Sequence, residues 1–280
     1  APFTPWGEAF LFDAVRRARL DLFHAPTIDL PFALPCRSVV TVHDVSPTRF
    51  PESARQSWLF GRKVARVGKR AQLILAVSDE VARDLGELMQ GTEGSIRVVP
   101  NGVADSFVVA GADDRSEIDV LIRRLGLRTP YAVNITNGTT AKGVDHVLAA
   151  MRRIRGLQMV MIGEGSDAPR VRAMVAAAQL GPERIKLLGN VSEREMGMLY
   201  RRARVAVVAS RYEGFGLPAV EAMACGVPLV ATKTGAIPAV TGGSAVLIEP
   251  DAPVALAEAI YRVAFSMTEA ERAHLAESGR

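Results

Sequence analysis

Two carboxylates bracket a glycine-rich turn in the segment Arg211-Tyr212-Glu213-Gly214-Phe215-Gly216-Leu217-Pro218-Ala219-Val220-Glu221-Ala222-Met223-Ala224-Cys225-Gly226. Pro218 suits a first helical position, Gly226 suits a helix stop, and Pro228 blocks any continuation. The backbone N–H groups of Gly216, Leu217 and the first helical turn are then unpaired and aimed at one point. Such a terminus attracts an anion through its free donors and through the helix dipole. Carboxylates do not bind anions, so Glu213 and Glu221 are expected to serve neutral, hydroxyl-bearing parts of the same ligand. A sugar on one side of a diphosphate and a ribose on the other fit that description.

Other chemistry-bearing residues follow short apolar runs. His43-Asp44 follows Val39-Val40-Thr41-Val42; a lone histidine is commonly packed or solvated, and at the carboxyl end of a strand a catalytic reading stands beside that one. Asn137-Gly138-Thr139-Thr140-Ala141-Lys142-Gly143 lacks P-loop spacing but offers glycines, hydroxyls and one lysine, a phosphate cradle with Lys142 as a point charge. Either loop, taken alone, also reads as surface decoration. Gly163-Glu164-Gly165 and Gly189-Asn190-Val191 read first as turns, and their glycines would also let a ligand approach the backbone. Ser78 before Asp79-Glu80 reads first as a helix N-cap. No His, Cys, Asp or Glu cluster has metal-ligand spacing, and no Gly-x-Ser-x-Gly element appears. No Gly-x-Gly-x-x-Gly follows a strand, which argues against an NAD-type enzyme.

The elements that must position these residues alternate. Strands are predicted at Leu20–Phe23, Ser38–His43, Leu73–Val77, Ile96–Val99, Tyr131–Ile135, Gln158–Ile162, Ile185–Leu188, Val205–Ala209, Leu229–Thr232 and Ala245–Ile248. Helical patterns lie between them, near Phe10–Ala18, Pro51–Lys69, Glu80–Met89, Val144–Arg153, Ala168–Ala178, Glu193–Arg202 and Val254–Ala264. Continuous apolar runs suggest strands buried on both faces, and the alternation means βαβ units in a doubly wound α/β architecture. Asp105, Gly111, Asp113 and Asp114 break the pattern, followed by a short helix at Ile118–Arg124. Residues 1–108 are therefore expected as one domain, 109–129 as a linker and 130–280 as a second domain. Ligands of such domains sit at the carboxyl ends of the strands, so two facing domains would form a cleft.

At 280 residues the chain has room for two ordinary domains, and 49% hydrophobic with 23% charged residues is a globular composition. Its apolar runs are too short to span a bilayer. Two distant cysteines, Cys36 and Cys225, suggest reduced thiols and a cytoplasmic setting. The net charge of +4 is spread over both halves, which is no nucleic-acid footprint. Locally, Arg49–Arg70 holds seven basic residues against Glu52 alone, beside Trp58, Leu59 and Phe60. That pattern reads as a solvated helix face or as peripheral contact with an anionic membrane surface, on the inner face of the membrane for a cytoplasmic protein.

Taken together, these residues resemble the retaining GT-B glycosyltransferases of glycosyltransferase family 4 (glycosyl transferases, group 1). The resemblance spans roughly Asp21 to Tyr261. It rests on Phe23-His24-Ala25-Pro26, Thr41-Val42-His43-Asp44, Val77-Ser78, Val98-Val99-Pro100-Asn101-Gly102-Val103, Lys142-Gly143, Gly163-Glu164-Gly165 and, above all, Glu213-x7-Glu221. It implies a GT-B fold of two Rossmann-like doubly wound domains facing a cleft, the first for the acceptor and the second for the nucleotide sugar. By the same resemblance Glu213 meets the donor sugar and Glu221 the ribose. Phe215, Gly216 and Leu217 match the backbone at the sugar and diphosphate, and Lys142 neutralises the leaving diphosphate. His43 matches the first-domain histidine near the reacting sugar, Gly163 falls in the glycine-rich donor loop, and Val191 lies near the nucleobase. The implied activity is retaining, metal-independent transfer of a hexose of mannose or glucose type, with the nucleotide sugar as donor substrate and no cofactor. The implied acceptor is a hydroxyl on a glycan, lipid-linked or polysaccharide precursor.

Three departures from the family pattern stand out. Asn137 occupies the position where an arginine is usual, five residues before Lys142, and Ala239 stands where the Gly-x-Pro-Glu segment has its glutamate. The strands that open the family's first domain have no counterpart ahead of Leu20–Phe23, and the closing helix reads as cut after Glu277, so the chain is expected to be truncated at both ends with an incomplete first domain. An alternative from a different class is a nucleotide-sugar-binding module without turnover.

Overall fold

The computed structural model describes residues 5–89, 95–107 and 115–279. They fall into two compact units, Ala1–Asn101 and Gly102–Arg280.

In the first unit, helix α1 (Pro5–Arg17) leads into strands β1 (Leu22–Ala25) and β2 (Arg37–Val42), then α2 (Ser46–Arg49), α3 (Ala54–Arg70), β3 (Leu73–Ala76), α4 (Asp79–Leu88) and β4 (Ile96–Val98). The four strands are parallel and lie in sequence order, β1-β2-β3-β4. Burial alternates along β2 and β3, with Val40, Val42, Ile74 and Ala76 sealed and their neighbours half-exposed. The continuous apolar runs predict burial on both faces; here one face carries most of the core, which includes Val64 and Val67 of α3 and Val81 and Leu85 of α4. Serine caps start both helices: Ser53 accepts from the Gln56 amide and Ser78 from the Val81 amide at 3.1 Å each, the N-cap role expected of Ser78.

The second unit runs α5 (Arg115–Leu125), β5 (Tyr131–Ile135), α6 (Val144–Met151), β6 (Gln158–Ile162), α7 (Pro169–Ala177), β7 (Ile185–Gly189) and α8 (Glu193–Arg202). It continues through β8 (Val205–Val208), α9 (Leu217–Ala224), β9 (Leu229–Thr232), α10 (Ile237–Thr241), β10 (Val246–Ile248), α11 (Pro253–Tyr261) and α12 (Glu269–Glu277). All its strands are parallel, in the order β10-β9-β8-β5-β6-β7. Strands β6, β8 and β9 are buried throughout, as the unbroken apolar runs require. Successive residues feed opposite faces. Ala132, Met159, Met161, Val205 and Val207 pack with Leu256 and Ile260 of α11, while Val133, Val160, Ile162, Ala206 and Val208 pack with Leu121, Leu199 and Ala219. Both units are Rossmann-like parallel α/β domains.

The stretch 109–129, expected as a linker, divides. Residues 109–114 lie outside the described residues, whereas α5 buries Ile118, Leu121 and Ile122 in the second unit's core. The periodic apolar face of that helix needs a partner, and Tyr131 and Met198 supply it.

Candidate functional site

Strand order points to the site. From β5 the chain winds outward through β6 and β7, then returns to the other side of β5 with β8 and continues to β9 and β10. The crossover direction therefore reverses between β5 and β8, and ligands of open α/β sheets bind beside the carboxyl ends of the strands at such a switch. The two loops that leave those ends carry Lys142, after β5, and Glu213, after β8.

These side chains meet. Lys142 Nζ lies 2.6 Å from Glu213 Oε1, and Ser210 Oγ donates to the same oxygen at 2.7 Å. Glu213 is 7% exposed and the Lys142 side chain 22%, so the pair is largely withdrawn from water. Backbone contacts lock both loops around it. Gly143 turns left-handed at φ 61°, and a Cβ there would stand 2.0 Å from Ala209 O. Gly235, at φ 53°, comes so close to Glu213 that a Cβ would sit 2.1 Å from its carbonyl oxygen, and the Ala236 amide donates to that oxygen at 3.0 Å. Only glycine fits at either position.

The turn after Glu213 delivers a helix amino end to the same side. Gly216 is left-handed at φ 94° and offers no side-chain cap; Pro218 has no amide hydrogen and the Ala219 and Val220 amides turn back to Gly216 O at 2.9 and 3.2 Å, so the expected cluster of donors narrows to the amides of Gly216 and Leu217. Leu217 opens the helix and Pro218 follows, one residue later than expected. Gly226, at φ 68°, closes it as predicted, with its amide bonding Met223 O at 2.8 Å. Phe215 is half-buried and Leu217 exposed.

Glu221 is half-buried on α9. Burial raises its carboxyl above the ordinary range, and a hydrogen bond from Tyr200 pulls the other way. Tyr200 is itself sealed in the core; its one hydroxyl proton is shared between Glu221 and Pro218 O, the latter 3.2 Å away, and burial pushes its ionisation far up.

Asn137 Oδ1 accepts from the Thr139 amide at 3.2 Å and from Thr139 Oγ1 at 2.7 Å, which makes Asn137 the shaper of its own turn. Gly163, at φ 121°, leaves no room for a Cβ, which would stand 2.6 Å from Thr136 O, so the loops after β5 and β6 interlock. Val191 rests partly buried against the core. His43, exposed at the end of β2 in the first unit, has Nε2 2.9 Å from Pro26 O. A carbonyl only accepts, so Nε2 is the donor in this contact.

Sequence reasoning missed three contributors. Ser210 and Arg211 directly precede the motif but give no periodic signal. Tyr200 lies far back in sequence and reaches Glu221 only because α8 and α9 cover the same sheet face.

Each unit resembles known proteins. Residues 1–107 match the profile described as Glycosyltransferase Family 4 and residues 130–264 that of Glycosyl transferases group 1. A D-inositol 3-phosphate glycosyltransferase of Corynebacterium jeikeium is 33% identical over 207 residues, 69% of this chain and 49% of that protein. The chain thus spans about half the length of the first curated relatives it matches. Among solved structures, sucrose-phosphate synthase from Thermosynechococcus elongatus superposes with TM-score 0.81 at 22% identity, covering 98% of this chain and 71% of that one. Anabaena HepE in complex with UDP-glucose gives 0.80 at 21%, covering 99% and 78%. At these identities the likeness is one of fold, the GT-B fold.

Proposed function

From the premise that the chain carries the two domains of a GT-B glycosyltransferase, we propose that it transfers a hexose, of mannose or glucose type, from a nucleotide-diphosphate donor to an acceptor hydroxyl with retained anomeric configuration. The acceptor is a hydroxyl of a glycan, lipid-linked or polysaccharide precursor. The observation that carries this reading is the Lys142–Glu213 pair at the β5/β8 switch, beside the open amino end of α9. An arriving diphosphate takes up the ammonium charge of Lys142 and the amides of Gly216 and Leu217. Glu213, relieved of part of its partner's charge, accepts from sugar hydroxyls, and Glu221 accepts from the ribose. The bond from the anomeric carbon to the diphosphate oxygen breaks as positive charge spreads over the sugar ring, the acceptor oxygen bonds to that carbon on the face the diphosphate leaves, and the hydroxyl proton passes to the departing diphosphate oxygen. Preorganised positive charge at the leaving oxygens is the main source of rate in this scheme, supplied by the chain's own groups with no metal or cofactor assigned. Asn137, Gly163, Val191 and Phe215 are proposed as further donor contacts, and His43 as a catalytic residue.

The test is a panel of nucleotide sugars, UDP-glucose and GDP-mannose among them, read first by thermal stabilisation and then by turnover. Glu213→Gln and Glu221→Ala are each expected to keep the fold and lose most turnover; full activity in both would overturn the assignment.

One observation favours a second reading, a nucleotide-sugar-binding module. Asn137 stands where an arginine is usual and spends its Oδ1 on its own turn, and Lys142 is already paired. Calorimetric binding of a nucleoside diphosphate without transfer or hydrolysis of any donor would select it.

We further propose a cytoplasmic enzyme that touches the inner membrane face through α3. Among the described residues no helix is long and apolar enough to cross a membrane.

A further inference from the structure

Arg211 stands two residues before Glu213 and is nearly enclosed, its side chain 14% exposed. Its bonds reach four other segments. Toward the loop after β5, its amide donates to Ala141 O at 2.7 Å and its Nη1 to Thr140 O at 2.8 Å. Toward α6, its fork grips Asp145 through Nη1 at 3.0 Å and Nη2 at 2.6 Å, and Nη2 also lies 2.6 Å from His146 Nε2. Toward the turn after β10, Nε donates to Asp251 Oδ1 at 2.8 Å. Its own carbonyl accepts from Thr234 Oγ1 at 2.8 Å, in the segment that holds the Glu213 backbone through Gly235 and Ala236. Thr140 and Ala141 are the two residues before Lys142. One guanidinium therefore ties the loop of Lys142 to the loop of Glu213, independently of the bond between those two side chains.

We propose that Arg211 is a positioning residue of the donor site. It acts through Lys142, holding the ammonium where it meets both Glu213 and a nucleoside diphosphate. The inference rests on the donor-binding reading of Lys142. The chemistry requires a planar fork. Lysine keeps the charge but cannot hold Thr140 O, both oxygens of Asp145 and Asp251 together. His146 Nε2 also lies 2.9 Å from Asp251 Oδ1. Nε2 takes one role at a time, acceptor from Arg211 or donor to Asp251, and the Arg211 bonds to Thr140, Asp145 and Asp251 stand in either case.

The test is a double-mutant cycle on Kd for UDP and GDP, measured by calorimetry in wild type, Arg211→Lys, Lys142→Gln and the double variant. Arg211→Lys is expected to weaken the bound nucleotide about tenfold in the wild-type background and by less than about twofold once Lys142 is absent. A merely structural arginine lowers affinity equally in both backgrounds, and that result would overturn the inference. Amide hydrogen exchange over residues 139–143 is read on the same variants without ligand. Arg211→Lys is expected to raise it, and unchanged exchange overturns the inference whether or not nucleotide binds. Raised exchange with no nucleotide binding by wild type counts instead against the donor-site reading. Asp251→Asn, which loosens only the outer hold on Arg211, is expected to shift both readouts in the same direction and by less.

Discussion

Lys142 and Glu213 form an ion pair of 2.6 Å across the point where the second sheet reverses its winding. Neither loop makes a site alone. The loop after β5 brings a cation with left-handed glycine support, and the loop after β8 brings a buried carboxylate followed by an uncapped helix start. Parallel pairing of β5 with β8 sets them side by side, because both loops leave the same edge of the sheet. The pair neutralises two charges that would otherwise be costly to hold out of water, and keeps each near where a donor would recruit it.

Breaking the pair from either side should therefore cost stability as well as function. Glu213→Gln leaves the Lys142 ammonium with a neutral partner, and a loss of about 1–3 kcal/mol in urea unfolding is expected. Ser210→Ala removes only the second bond to Oε1 and should cost about 1 kcal/mol. An order in which Ser210→Ala costs more than Glu213→Gln would show that the hydroxyl, not the ammonium, holds the carboxylate.

Each of the ten strands lies within two residues of its predicted position, because unbroken runs such as Val205-Ala206-Val207-Val208 leave little else for a buried segment to be. Helices α2 and α10 have no counterpart among the predicted elements; at four and five residues they are too short to show a period. The glycine stop at Gly226 and the N-cap at Ser78 were legible because their chemistry is local. The partners of the site were not. That Lys142 answers Glu213, Tyr200 answers Glu221 and Arg211 answers Asp145 depends on which strand neighbours which, and strand order is absent from any local pattern. The alternating burial of the first sheet was likewise invisible, since Leu73-Ile74-Leu75-Ala76 is apolar at every position whichever face is covered.

Glu221 should couple donor binding and stability to pH with opposite signs. Burial raises its carboxyl above the ordinary value of 4.5, so the folded chain holds this proton where the unfolded chain has lost it. Its contribution to stability is then fully present below the unfolded pKa and lost as pH rises through the raised folded one. Glu221→Gln should accordingly raise the urea midpoint at neutral pH and leave it nearly unchanged in acid. On the proposed ribose contact of Glu221, donor affinity runs the other way, because an ionised carboxylate is the stronger acceptor. In wild type it is expected to fall as pH drops through the raised value, and in Glu221→Gln to be low throughout.

Two left-handed glycines separate backbone strain from site geometry. Gly242, at φ 54°, has nothing within 4 Å of where a Cβ would stand, whereas at Gly235, φ 53°, a Cβ would stand 2.1 Å from Glu213 O. Gly242→Ala should cost about 1 kcal/mol from conformation alone. Gly235→Ala should cost more and also shift the Glu213 backbone, lowering nucleotide affinity. Equal affinities in the two variants would mean that Glu213 tolerates displacement.

The basic run of the first unit divides once its contacts are known. Arg49 pairs with Asp84 and Glu87, Lys63 with Asp29 at 2.5 Å, and Arg66 and Arg70 bond the carbonyls of Leu30 and Phe32. Those four hold the unit together. Arg62, by contrast, stacks 4.8 Å from the Trp58 ring on the outer face of α3, where Trp58 is 59% exposed and Leu59 42%. Arg55 and Lys69 are exposed as well. An indole beside arginines suits the interface of an anionic bilayer, where each basic side chain contributes about 1 kcal/mol. Wild-type protein is expected to sediment with phosphatidylglycerol vesicles and not with phosphatidylcholine ones, and to be released by salt. Arg55→Glu with Arg62→Glu should abolish the binding and Trp58→Ser weaken it, while Arg49→Gln should instead lower the unfolding midpoint. Sedimentation that is indifferent to the Arg55 and Arg62 changes would remove α3 as the contact.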